Sequence, residues 1–311
     1  FIRNLWRHGY NPIYVEGNLS NEIFKYHPMV SPNKPQDVTE IYDLDNAYER
    51  IAGASEDPIS VLKLWNNFYD GLELIQKSYF KTFDMMFHEP RQSPKLYLSD
   101  EEKQWANSVI NPSEKWISVD VGNYFTNNTC RKFQGWKSDN WEELFESLKN
   151  LGYKIVIIGN AKNQEISSEL DLRGCTNLRQ MFAIINASHA FIGPDTGTLH
   201  VAQAFDKPGV GLFGLIKPQY RIAPESRICP VVCRKELNVK EILNALNKST
   251  IKKSITFRNN MFSQNLGEAI SCPSNYFEFP GFEIVRKDVM DHVEPEENYI
   301  IGGGGLLRYR E

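Results

Sequence analysis

The sequence predicts an α/β fold built on a parallel sheet, and three observations carry that expectation. Between about residues 115 and 248, short apolar runs alternate with amphipathic helical patterns, at spacings that allow crossovers between parallel strands. Lys154-Ile155-Val156-Ile157-Ile158-Gly159 is unbroken in apolar character, as a strand buried on both faces must be. The third is the stretch from Phe191 to Phe205 followed by Lys207 to Gly214. Here an apolar strand breaks at the polar turn Pro194-Asp195-Thr196-Gly197, a helix places Leu199, Ala202 and Phe205 inward, and Val210 to Phe213 forms a second buried strand.

That turn is the candidate binding element. In a parallel sheet it lies at the carboxyl edge, where open α/β folds bind ligands, and it opens a helix whose free N–H groups attract anions. It suits a phosphate or a similarly charged group. Asp195 is placed to cap the helix, Gly197 lets a ligand approach the backbone, and His200 lies one turn along on the side of Thr196 or Gly197. The same residues also describe an ordinary capped helix with a satisfied histidine.

Taken in order, Phe1 to His8 carries a helical stripe closed by Gly9, and Asn11 to Glu16 reads as a strand. A helix before a strand implies a further strand upstream, so the chain reads as an excerpt. Ile41 to Leu44 is strand-like, Pro58 to Phe87 is helical, Pro90 to Pro94 punctuates the chain before Lys95 to Leu98, and Ser99-Asp100-Glu101-Glu102 opens a helix with a capping signature. The first domain is expected to span residues 1–104. In the second, 105–250, strands are expected at 115–122, 154–159, 170–174 and 210–213, and helices at 140–151, 177–187 and 238–248. An irregular stretch follows Pro224.

Composition narrows the classes. Thirty-five Lys and Arg against 39 Asp and Glu leave a formal charge of −4, which argues against a general nucleic-acid binder. No apolar run approaches the roughly 20 residues of a membrane span. Five cysteines are scattered, and Cys229 and Cys233 lack a second pair at zinc-site spacing, so reduced thiols and no metal are expected.

Five blocks in order resemble one family. Trp136 and Trp141 with Glu143-Leu144, a strand ending Ile158-Gly159, Leu172 to Leu178, Ile192 to Gly197 with His200 to Ala204, and Pro208 to Gly214 look like the carboxyl-terminal domain of glycosyltransferase family nine, the ADP-heptose:lipopolysaccharide heptosyltransferases. The resemblance runs in register from Trp116 to Lys248. It implies the GT-B fold, two Rossmann-like domains facing across a cleft, with the first lacking its first strand here. It also implies metal-independent, inverting transfer from a nucleotide diphosphate sugar, with no cofactor. The acceptor is expected to be a glycolipid or surface polysaccharide, and the location cytoplasmic, with peripheral association at the inner membrane face.

By that resemblance Thr196 and Gly197 lie nearest the diphosphate, His200 orients or donates, and Asp195 caps the turn or accepts sugar hydroxyls. Arg131 and Lys132 lie in the loop where the family places a phosphate-binding lysine, although Gln134 holds the usual position. Gly159, Asn160 and Glu165 are where a base or ribose would be contacted. The family's catalytic base is a carboxylate ahead of the first helix, upstream of Phe1. No residue of the chain is assigned as that base; Asp43 and Asp45 end a strand on the cleft side, but strand-end turn formers are the better reading of both. Residues 251–311, with Asn265 to Ser271 and Asn298 to Leu307, resemble the start of a polysaccharide pyruvyl transferase domain, or else a linker with an edge hairpin. A non-catalytic nucleotide-sugar binding module stands as the alternative to an enzyme.

Overall fold

The computed structural model describes residues 6, 12–17, 19–34, 36, 93–122, 138–160, 165–214, 217–223, 226–232, 238–251, 253–259, 282–288 and 299–301. Two compact units divide the chain, residues 1–249 and 250–311.

In the first unit the elements are α1 (Ser20–Ile23), α2 (Asp100–Val109), β1 (Trp116–Asp120), α3 (Ser138–Asn150), β2 (Lys154–Ile158), β3 (Leu170–Asp171), α4 (Leu178–Ala187), β4 (Ala190–Pro194), α5 (Gly197–Ala204), β5 (Gly209–Phe213), a 3-10 turn (Pro218–Tyr220), β6 (Ile228–Val232) and α6 (Val239–Thr250). All six strands are parallel, in the order β3-β2-β1-β4-β5-β6. This is the doubly wound order, and its reversal falls between β1 and β4.

Strand periodicity sorts the core into two layers. Ile117, Val119, Ile155, Ile157, Ile192, Val210 and Leu212 face Trp141, Leu144, Phe145 and Leu148 of α3 and Ile242 and Leu246 of α6. On the other face Val156, Ile158, Phe191 and Phe213 meet Ala106 of α2, Phe182 and Ile185 of α4 and Leu199 of α5. Each buried side chain of this size contributes about 1.5–3 kcal/mol.

Two helices begin as their sequences require. Ser99 and Glu102 form a reciprocal capping box on α2, and Asn177 and Gln180 form one on α4. Helix α2 runs continuously across residue 104.

Two expectations need correction. Residues 12–17 form no strand; Ile13 is buried, and its carbonyl accepts from the Ser31 N–H at 2.7 Å rather than from a strand partner. The irregular stretch after Pro224 contains β6, which pairs with β5 from Ile228 to Val232. Pro230 lies within it, and an edge strand tolerates a missing N–H on its outer side.

Among its described residues the second unit holds three parallel strands, β7 (Lys253–Asn259) between β8 (Phe282–Asp288) and β9 (Tyr299–Ile301). Asn265 to Ser271 and the glycine run Gly302 to Gly305 lie outside the described residues.

Candidate functional site

Strands β1 and β4 are neighbours whose following connections depart to opposite sides, so a crevice opens at their carboxyl ends. The β1 side ends in Asp120-Val121-Gly122 and the β4 side in Asp195-Thr196-Gly197. The sequence-predicted turn therefore lies at the switch point of the sheet.

Asp120 joins the two sides. Its carboxylate is almost fully buried, with Oδ1 accepting the Gly122 N–H at 2.9 Å. Oδ2 accepts the Thr196 hydroxyl at 3.0 Å and the Thr198 hydroxyl at 2.7 Å, and the two hydroxyls lie 2.8 Å apart. Gly193 makes room for it: a Cβ there would stand 3.0 Å from the Asp120 Cβ and 2.6 Å from the Phe191 ring. Gly159, at φ +126°, also borders this carboxylate, since a Cβ on it would lie 3.6 Å from Oδ1. Sequence reading placed Asp120 on a strand and gave it no role; the signal available was a lone acid closing an otherwise buried apolar strand.

The expected cap does not form. Thr196, not Asp195, is the N-cap of α5, and its side chain makes no capping hydrogen bond because Asp120 holds the hydroxyl. The Asp195 carboxylate turns instead to Arg221, whose Nε donates to Oδ2 at 3.3 Å. His200 Nε2 lies 4.0 Å from the Asp195 Oδ1, and Gln203 Nε2 is 3.4 Å from its Nδ1. Arg221 is a second site residue that sequence reading missed. It follows a 3-10 turn in a loop with no periodicity to mark it.

Gly197 is exposed at the helix start, and a Cβ on it would meet nothing within 4 Å. Among the described residues the start of α5 is therefore open at Gly197, while the Leu199 N–H is already taken by the Thr196 carbonyl at 3.2 Å. Asp195, Thr196, Gly197 and His200 are brought together. Gly159 follows β2, next to β1, where Gly174 donates its N–H to the Gly159 carbonyl at 2.8 Å. Glu165 is exposed, as is Asn160. Arg131, Lys132, Gln134, Asp43 and Asp45 lie outside the described residues.

The family model described as glycosyltransferase family 9 (heptosyltransferase) matches residues 70–246, more than half of the chain. The chain belongs to glycosyltransferase family 9. Among curated members of the family, lipopolysaccharide heptosyltransferase 2 of Salmonella typhimurium (strain LT2) is 34% identical over 98 residues, covering 27% of this chain and 28% of that one. The protein of the same name from Escherichia coli (strain K12) is 32% identical over 145 residues, covering 42% and 41%. The chain thus spans less than half the length of these relatives. Among solved structures, E. coli ADP-heptose lipopolysaccharide heptosyltransferase II aligns with TM-score 0.44 at 22% identity, over 57% of this chain and 61% of that one. A dodecameric iron-containing glycosyltransferase from enterotoxigenic E. coli aligns with TM-score 0.49 at 17% identity, over 76% and 58%.

Proposed function

We propose that this family 9 chain transfers a heptose-like sugar from a nucleotide diphosphate donor to a lipopolysaccharide or surface-polysaccharide acceptor, with inversion and without a metal. The observation that carries the reading is the open helix start at Gly197 on the switch point of a parallel sheet. Backbone N–H groups there meet the diphosphate, whose negative charge grows as the bond to the anomeric carbon breaks. The acceptor hydroxyl forms the new bond from the opposite side of the sugar and gives its proton to a base. Asp120 and Asp195, the carboxylates at the crevice among the described residues, are both engaged in holding the turn.

The sheet is read as the donor half of a two-domain GT-B arrangement. A lipid-built acceptor would draw the protein to the cytoplasmic face of a membrane by peripheral contact. Among the described residues no helix is long and apolar enough to cross one.

Gly197→Val tests the donor assignment. The space around Gly197 admits the side chain, so the melting temperature should hold, whereas the new methyl groups occupy the ligand's approach. Loss of nucleotide diphosphate binding is expected. Unchanged affinity in the folded variant removes the assignment. Sugar transfer to a glycolipid acceptor, assayed with and without EDTA, separates the enzyme from a binding module and tests metal independence in the same measurement.

A further inference from the structure

We infer that Arg221 is the cation that receives the donor's diphosphate, with Asp195 as the carboxylate that aims it. The inference rests on the nucleotide-sugar reading above. The Arg221 side chain is only 14% exposed, yet its one ion pair uses Nε. Among the described residues no hydrogen bond or ion pair takes either Nη group, and neither counts among the buried polar atoms left without a partner. The Nη edge of the fork therefore reaches solvent. A guanidinium held by its Nε side presents two parallel donors on the other edge, the geometry that matches phosphate oxygens.

The backbone around Arg221 is fixed to the same helix that opens at Gly197. Gln203 of α5 is 2% exposed, and its Nε2 donates to the Arg221 carbonyl at 3.0 Å while its Oε1 accepts the Ala223 N–H at 3.0 Å. Arg221 also donates its own N–H to the Pro218 carbonyl at 2.9 Å. Gln203 thus ties the Arg221 loop to the last turn of α5, and Asp195 holds the Arg221 side chain beside the first.

Charge gives the second argument. A diphosphate brings about two negative charges to a helix start worth about half a positive charge. Asp195, beside that start, would repel it. Pairing with Arg221 cancels the carboxylate and leaves the outer edge of the fork for the ligand. Asp195 then serves binding by orienting a cation rather than by capping the helix.

The test measures binding of ADP, GDP and UDP, each against its monophosphate, by calorimetry on the full chain. At least one diphosphate should bind more tightly than its monophosphate. Arg221→Gln should weaken that diphosphate by about 10- to 100-fold and leave the monophosphate nearly unchanged, so the ratio collapses. Arg221→Lys keeps the charge and loses the fork, and should lower the ratio several-fold. A purely structural role would weaken both nucleotides alike. A folded Arg221→Gln protein that keeps the wild-type ratio overturns the inference, as does Arg221→Lys with an unchanged ratio should the glutamine variant not fold. If the wild-type chain binds none of the six nucleotides, the donor reading itself fails and the inference falls with it.

Discussion

A single buried carboxylate, Asp120, ties the two sides of the crevice through two threonine hydroxyls and one backbone N–H. Hydrogen bonds to an ionised acceptor contribute about 1.5–3 kcal/mol, and a buried hydroxyl that loses its partner costs about 1–3 kcal/mol. Asp120→Ala leaves the Thr196 and Thr198 hydroxyls only each other as partners, takes the acceptor from the Gly122 N–H, and frees the turn on which Gly197 sits. We expect it to lose about 2–4 kcal/mol in urea unfolding. Asp120→Asn keeps an acceptor for Gly122 and offers an amide that the threonine oxygens can accept, so its loss should be about half as large. An alanine variant within about 0.5 kcal/mol of wild type would show that the turn stands without the carboxylate.

At the scale of elements, α4 is fastened to the chain before it by Arg179. The Arg179 Nε donates to the Glu102 Oε1 at 2.9 Å, Nη1 to the Glu22 carbonyl at 3.0 Å, and Nη2 to the Tyr97 carbonyl and the Glu102 Oε2. The Arg179 hydrogen bond holds the Glu102 carboxyl below its ordinary value of 4.5, outweighing the burial that pushes it up; Ser99 and Lys25 add to the lowering. A depressed carboxyl stabilises the fold above its unfolded pKa, and that stability is lost as pH falls through the folded value. Stability of the wild type should therefore drop below about pH 4.5 more steeply than that of Glu102→Gln, measured by urea unfolding across pH 3 to 7. Parallel pH profiles would dissociate Glu102 from acid sensitivity. Arg179→Ala, which takes the guanidinium from two carbonyls and leaves the Glu102 carboxylate only the Ser99 N–H and Lys25, should cost about 3–5 kcal/mol at pH 7.

The two kinds of contact explain what the sequence made legible. Apolar periodicity and capping signatures are local, so β1, β2, β4, β5 and the starts of α2 and α4 could be read directly. The turn at Asp195 to Gly197 was legible because strand, turn and helix adjoin in the chain. Arg221 with Asp195, Asp120 with Thr198, and Arg179 with Tyr97 are separated by 26, 78 and 82 residues. No spacing rule links them. Strand β6 was missed for a different reason, since an edge strand with an internal proline has neither an unbroken apolar run nor a clean alternation.

At the scale of the whole molecule, the binding element and the core behind it belong to the unit of residues 1–249, and residues 250–311 form a unit of their own. Among the described residues both apolar layers of the six-stranded sheet are covered by helices of the first unit, the last of them α6 with Ile242 and Leu246. Among the described residues the sheet of the second unit is made of β7, β8 and β9. A chain ending at residue 251 keeps every one of these core contacts, together with Asp120, Asp195, Gly197, His200, Gln203 and Arg221. Its nucleotide diphosphate affinity should remain within about twofold of the full chain, less than 0.5 kcal/mol in binding. A stop at residue 238 removes α6 and bares Val210, Leu212 and Val231 beneath it, so that chain should aggregate or lose its cooperative melting transition. Loss of diphosphate binding on cutting at 251 would instead place part of the donor site in the second unit, and calorimetry on the two truncations decides between these outcomes.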